Sequence, residues 1–266
     1  MRKTTTPRRP DASKRLGKLF HLEISRSKLR EVHRSRSVRP KQPVAPTDGP
    51  VRDIATRSGP FVRGLFPSFK NGRQVAHEET LEGDAVLLFE MSPLVRSYRE
   101  QPEHVYYPDG DLTRKYTPDY EIETASGQRI LVEIKPASRL NEPPTRRKFD
   151  LIEAHLDRTG RAFTILTDKS IRQKPRLSNL RRLWRSAPLT PMSCDEIRRA
   201  LRLLHVNDVR SFDDAISVIG RNAVSGLLML GYLTCSLDSE INRTTEIFIH
   251  TENQNAWFFI EAERRF

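Results

Sequence analysis

This chain of 266 residues has only two cysteines, Cys194 and Cys235. They stand 41 positions apart with no metal-binding or redox spacing, which excludes a disulfide framework and a zinc ribbon and fits reduced thiols in a cytoplasmic protein. The seven histidines are scattered and form no spaced pair, so a zinc site has no basis in the sequence. Long hydrophobic runs are also missing. The longest, Leu227 to Leu233, is far short of the roughly 20 apolar residues that cross a bilayer. The basic N-terminus is not followed by an apolar segment, which argues against a secretory signal. No internal repeat is evident.

Negative charge is scarce where the chain starts. The formal net charge is +12, and residues 1–50 hold 14 Lys and Arg against 4 Asp and Glu. The same stretch has six prolines and a single aromatic, Phe20. It cannot bury enough apolar surface to fold alone, so residues 1–58 are expected to be a disordered basic arm. Such an arm adds salt-sensitive phosphate contacts, or serves as a solubilising tether. A membrane-surface role is disfavoured because no apolar face accompanies the charge.

What is present centres on YTPDYEIET, ASGQ and RILVEIKPA. Residues Tyr116–Glu123 and Arg129–Ile134 alternate with a period of two, the mark of strands, and Ser126-Gly127 supplies a turn between them. Glu133 and Lys135 share one face of their strand. Ile130, Leu131, Val132 and Ile134 form a nearly continuous apolar run, as in a strand buried on both faces. A charged pair at the end of such a strand is costly without partners or a role. Asp119 follows Pro118, and Glu133-Ile134-Lys135 is the only acid-x-Lys in the chain. Pro10-Asp11 and Pro108-Asp109 also occur, neither in a convincing strand. Two carboxylates and a lysine so placed suit Mg²⁺, with Mn²⁺ as substitute: a hard cation takes carboxylate oxygens, water and phosphate. Lys135 adds a fixed positive charge for the transition state. The alternative is a surface hairpin with a charged outer face.

Upstream, His77–Met91 reads as a helix with Leu81, Ala85 and Leu88 on one stripe. Val86 and Phe89 place Glu82 near the apolar side. Glu78, Glu79 and Glu90 read as exposed, although spacing alone does not choose among the four acids. Downstream, His104–Tyr107 is a short strand, Pro144–Arg158 a helix and Arg161–Thr167 a strand. Strand, helix and strand in that order make an α/β core with a crossover.

These residues carry a resemblance to the TnsA-type endonuclease subunit of heteromeric cut-and-paste transposons. The stretches FPSFKNGRQVAHEETLE, SPLVRSYREQP, YTPDY, ILVEIKPA and FTILTDK occur in the family's order across about Leu65 to Asp168. The resemblance implies a restriction-endonuclease-like PD-(D/E)xK core over residues 59–170. It implies a catalytic set of Glu82, Asp119, Glu133 and Lys135, with Glu82, Asp119 and Glu133 holding Mg²⁺. Some family members carry Gln where Glu133 stands here, and the full acidic version favours metal binding. The implied activity is hydrolysis of phosphodiester bonds at the 5′ ends of transposon DNA during excision, a hydrolase step in DNA recombination. The implied partners are transposon-end DNA, a DDE-type transposase subunit that processes the 3′ ends and an AAA+ transposition regulator, in the cytoplasm of a bacterium near the nucleoid.

Residues 171–266 form a second expected domain. Arg172 to Arg185 is a basic helix with an apolar stripe of Leu177, Leu180, Leu183 and Trp184. Arg172, Lys174, Arg176, Arg181 and Arg182 are candidates for DNA binding, or simply its solvated face. Helices at 195–205, 211–219 and 222–231 follow, the first opened by a Ser193–Glu196 capping box and the second by Asp213 and Asp214 near its N-terminal dipole. Strands are expected at Tyr232–Leu237, Glu246–His250 and Trp257–Ile260. Three helices and a hairpin resemble a winged helix. Its third helix has only Arg221 charged, so packing or protein contact suits it better than groove reading.

Two other functions stay open: a non-catalytic DNA-binding adaptor on the same fold, and a restriction-type or resolvase-type PD-(D/E)xK nuclease. The nearly neutral nuclease region predicts weak, salt-sensitive DNA binding by the isolated protein.

Overall fold

The computed structural model describes residues 64–252. It opens with an antiparallel hairpin, β1 (Gly64–Ser68) and β2 (Arg73–His77). His77 pairs with Gly64, so the helix expected from His77 starts later, as α1 (Thr80–Met91). Its residues from Asp84 to Met91 are all buried, as befits a helix packed on several sides. Here one expectation fails. Glu90, read as exposed, is 0 % exposed.

Next come β3 (Val95–Glu100), β4 (Val105–Asp109), β5 (Leu112–Tyr116), β6 (Tyr120–Thr124) and β7 (Arg129–Ile134). The strand expected over Tyr116–Glu123 is two strands. β5 pairs with β4 in a hairpin of its own, whereas β6 pairs with β3 and β7. Thr117, Pro118 and Asp119 form the break, where Pro118 has no N–H for a ladder. Side-chain alternation runs straight through it and so conceals it. Pro108-Asp109, discounted as strand, completes β4. A two-stranded sheet has only edge strands, where proline is tolerated.

The turn between β6 and β7 is closed by Gly127 N–H to Thr124 O at 2.9 Å. Gly127 sits at φ +83°, a conformation open to glycine at little cost. After β7 come α2 (Ala137–Leu140), α3 (Pro143–Arg158) and β8 (Ala162–Leu166). β8 runs parallel to β7, giving a mixed sheet ordered β3-β6-β7-β8. β7 is buried on both faces. Val132 and Ile134 pack in the core under α1, and Leu131 packs with Phe149, Ile152 and Leu156 of α3.

The chain continues through α4 (Asp168–Ile171), α5 (Arg176–Arg185), α6 (Cys194–Val206), α7 (Phe212–Ile219), α8 (Arg221–Met229), β9 (Leu233–Cys235) and β10 (Ile247–Ile249). Both expected acidic helix starts are present, and each is a capping box: Ser193 with Glu196, and Ser211 with Asp214. β9 and β10 pair antiparallel. The stripe of Leu177, Leu180 and Leu183 packs into the same core as Leu88, Phe89, Leu204 and Leu227. The described residues thus share one mixed α/β body around α1. The expected arm at 1–58 and strand at Trp257–Ile260 lie outside the described residues.

Candidate active site

Asp119 is delivered by the break before β6, and Glu133 and Lys135 by the end of β7. The β6–β7 register pairs Tyr120 with Val132, which brings Asp119 level with that end. Asp119 Oδ2 accepts the Ile134 N–H at 2.7 Å. Its own carbonyl accepts the Gln101 N–H at 2.8 Å. Gln101 holds φ at 41°, a left-handed conformation costing a non-glycine residue on the order of 1 kcal/mol. The loop carrying Asp119 is therefore pinned from both neighbouring strands.

Glu133 is almost wholly buried, its side chain 4 % exposed. Oε2 accepts the hydroxyl of Tyr116 at 2.7 Å, and Oε1 lies 3.2 Å from Lys135 Nζ. This satisfies a buried charge that would otherwise be costly. Tyr116 is a contributor that sequence reasoning missed. Its place in the strand alternation was legible, but its hydroxyl partner comes from another strand, for which one sequence gives no signal.

Electrostatics link these groups. Burial pushes the Asp119 carboxyl well above the usual carboxylate range, and the charges of Glu133 and Glu82 push it further. Burial raises Glu82 to about 7, partly offset by the Glu78 N–H, which donates to Glu82 Oε2 at 2.7 Å. Burial works against the Lys135 ammonium, but Glu133 and Asp119 outweigh it and raise its pKa. Lys135 is accordingly a fixed cation and not a base at neutral pH. The arrangement offers oxygen donors in a confined negative field beside one positive charge, which is the chemistry of a hard-cation site. Asp119, Glu133 and Lys135 come together. Glu82 acts on Asp119 through its charge, and among the described residues no three His, Cys, Asp or Glu side chains form a ready-made ligand cluster. Mg²⁺ commonly uses only one or two protein carboxylates, so the pair fits it without a third.

Glu82 is placed by α1, which is tightly anchored. Gly83 lies against the His77 ring, and a Cβ there would stand 2.9 Å from His77 Cε1. At the other end of α1, the buried Glu90 accepts from Ser68 Oγ (2.8 Å), Tyr98 Oη (2.8 Å) and the Phe69 and Lys70 N–H groups (2.9 and 3.2 Å). Lys70 Nζ donates to the carbonyls of Phe89 and Val95 at 2.8 and 2.6 Å and also to that of Ser92. This satisfies a helix C-terminus that would otherwise be short of donors. Burial lowers the Lys70 pKa to about 7, opposed by Glu90.

The five candidate DNA contacts lie away from these carboxylates in sequence, around α4 and α5. Arg172 Nε and Arg181 Nη2 both bind Asp84, at 2.8 and 2.5 Å. Arg182 donates to Ile241 O at 2.6 Å, and Arg176 donates to Ser170 O. Lys174 lines a shallow cleft with Asp84, Arg172, Arg181 and Glu240. Four of the five therefore spend at least one donor on the protein itself. α8 buries Val224, Ser225, Gly226, Leu227 and Leu228. No helix among the described residues is long and apolar enough to cross a membrane.

Residues 92–168 match the model of the TnsA-like endonuclease N-terminal family. The matched span holds Asp119, Glu133 and Lys135 but neither Glu82 nor the basic helix. No curated protein matches the chain. Over residues 92–168 the chain is thus similar to TnsA-like endonucleases, in agreement with the resemblance read from its motifs.

Proposed function

We propose, from a TnsA-type segment that brings Asp119, Glu133 and Lys135 together, that this protein is the metal-dependent endonuclease subunit of a transposase. Its substrate is transposon-end DNA, hydrolysed at the 5′ ends of the element during excision. The observation that carries the reading is the pairing of half-buried Asp119 with buried Glu133, with Lys135 at 3.2 Å from Glu133.

Asp119 and Glu133 would hold Mg²⁺ or Mn²⁺, with Glu82 of α1 as the third acid, near enough for its charge to act on Asp119. When bound, the ion supplies a Lewis acid for the phosphate and lowers the pKa of a coordinated water. The protein's part is positional. The Ile134 N–H fixes one oxygen of Asp119, leaving the other for a ligand. Tyr116 and Lys135 fix the two oxygens of Glu133. Lys135 stays protonated and stabilises negative charge on the phosphoryl oxygens as water attacks phosphorus and the P–O bond to the leaving sugar oxygen breaks. The attacking water releases a proton to solvent as the new P–O bond forms, and the leaving oxygen takes one up from solvent.

The three helices α6–α8 and the β9–β10 pair suit a winged-helix-like module. Its third helix is spent on packing, which speaks against groove reading, and the AAA+ regulator is the partner the resemblance implies. The DDE-type transposase supplies end recognition.

The test is nicking of labelled transposon-end duplex with Mg²⁺ and the cognate transposase, comparing wild type with Asp119→Ala. A 5′-end nick that needs both the partner and Asp119 supports the reading. An end that is bound but never cut in an Asp119-dependent way moves the chain to the adaptor class.

A further inference from the structure

The basic helix called out by composition is not the only cationic surface, and it is not the one beside the reacting groups. Two segments flank the carboxylates directly in sequence. The β4–β5 hairpin ends at Tyr116, three residues before Asp119. The α2–α3 segment starts two residues after Lys135. α3 packs against β4, so the two segments form one surface. The hairpin presents Arg114 and Lys115, and the first turns of α3 present Arg146, Arg147 and Lys148; all five are exposed. The same segments carry the carboxylates Asp109, Asp111, Glu142 and Asp150. Asp109 is held by Arg114 at 3.2 Å and by Arg147 at 2.8 Å, which ties the hairpin to the helix. Arg147 remains 74 % exposed.

The surface reaches the site through one ring. Lys148 Nζ lies 5.2 Å from the centre of the Tyr116 ring, and the Tyr116 hydroxyl is the group that donates to Glu133. On the nuclease reading, a strand whose scissile phosphate sits at Asp119 and Glu133 would pass Lys148, the cation on the Tyr116 ring. The exposed face of the hairpin also carries Tyr106, paired with Lys115 and 58 % exposed. An exposed aromatic beside cations suits a sugar–phosphate or base surface better than bulk water.

We propose that the hairpin β4–β5 and the first turns of α3 form the phosphate-backbone contact that seats DNA on the active site, with Lys115, Arg146, Arg147 and Lys148 as its cations. This rests on the nuclease reading for the location of the scissile bond. The Arg172–Arg181 surface, whose segment adjoins neither Asp119 nor Lys135 in sequence, is secondary to it.

The test is the salt dependence of full-length protein binding to duplex DNA, measured without divalent metal. Each phosphate contact contributes about 0.9 to the slope of log K against log salt. The Arg146→Gln/Arg147→Gln/Lys148→Gln variant is expected to lower the slope by between about two and three, with equal weakening on unrelated sequences. Lys115→Gln alters an exposed hairpin side chain and keeps the test valid if the triple variant melts early; it is expected to lower the slope by about one. Arg172→Gln/Arg181→Gln serves as the comparison and should change the slope less. Unchanged slopes for the triple variant and for Lys115→Gln overturn the proposal. Cleavage is measured separately with Asp119→Ala. Lost Asp119 dependence with reduced slopes would sink the nuclease reading and leave this surface standing, whereas Asp119-dependent cleavage with unchanged slopes does the reverse.

Discussion

The hydroxyl of Tyr116 lies 2.7 Å from Glu133 Oε2, joining the end of β5 to the end of β7. Tyr116→Phe keeps the ring and removes the donor. A hydrogen bond to a charged acceptor is worth about 1.5–3 kcal/mol, and Glu133 is too buried to recover it freely from water. The variant should lose stability of that order in urea unfolding. It should also lower the rate of nicking at saturating DNA, since one oxygen of Glu133 loses its anchor. Wild-type stability and rate together would show that the bond is incidental.

Glu82 carries a pH signature. Its folded pKa is about 7, above the ordinary value, so the folded state holds the proton more tightly than the unfolded chain does. The charged side chain thus weakens the fold above pH 7, and that cost disappears as pH falls toward 4.5. Glu82→Gln should therefore be more stable than wild type at pH 8, with the difference shrinking to nearly nothing near pH 4.5. Paired melting curves across that range read it directly. A constant difference would mean Glu82 does not titrate in this window.

Metal should act on the same repulsion. A divalent cation relieves the mutual charge of Asp119, Glu133 and Glu82, and binding only to the folded state stabilises by mass action. Mn²⁺ or Mg²⁺ in excess should raise the melting temperature of wild type, and chelator should reverse the shift. Asp119→Ala should show no such shift. Equal shifts in the two proteins would place the ion elsewhere.

Glu90 and Lys70 are predicted to matter through placement of α1. Glu90→Ala leaves the donors of Ser68, Tyr98, Phe69 and Lys70 without their acceptor and unbalances the Lys70 charge. Each buried donor left without its acceptor costs about 1–3 kcal/mol. Glu90→Gln, which keeps an acceptor and the shape, should cost clearly less. A denaturant series on the two variants separates the charge from the packing.

Asp84 ties α1 to the basic segment through Arg172 and Arg181. Both guanidiniums are about half exposed, so solvent screening limits each pair to about 0–1 kcal/mol. Asp84→Asn should destabilise only slightly, and added salt should narrow its gap from wild type. A loss of several kcal/mol would indicate that Asp84 supports packing beyond these pairs.

The elements legible in advance share one physical property: their pattern is local. β7 was readable to the residue because Ile130, Leu131, Val132 and Ile134 form a buried run between a glycine turn and Pro136. The Ser193–Glu196 capping box works over four residues, and Asp213 and Asp214 mark the first turn of the next helix just as locally. The site's order of acid, Pro-Asp and Glu-x-Lys was likewise visible along the chain. The split between β5 and β6 was not, because alternation continues through Thr117–Asp119 while the hydrogen-bonding partners change. Pro108-Asp109 was misjudged for the same reason: a hairpin edge accepts a proline that a central strand rejects.

Glu90 shows the limit most clearly. On the helix it stands like any solvent-facing glutamate, and only Ser68, Lys70 and Tyr98, brought from β1, its turn and β3, make its burial tolerable. By itself the sequence determined which residues offer the carboxylates and the lysine of the proposed hard-cation site and on which local elements most of them lie. Only the tertiary structure decided which acids are buried and which arginines are tied to the protein. Burial and charge pairing depend on partners distant in sequence, and no local pattern encodes them.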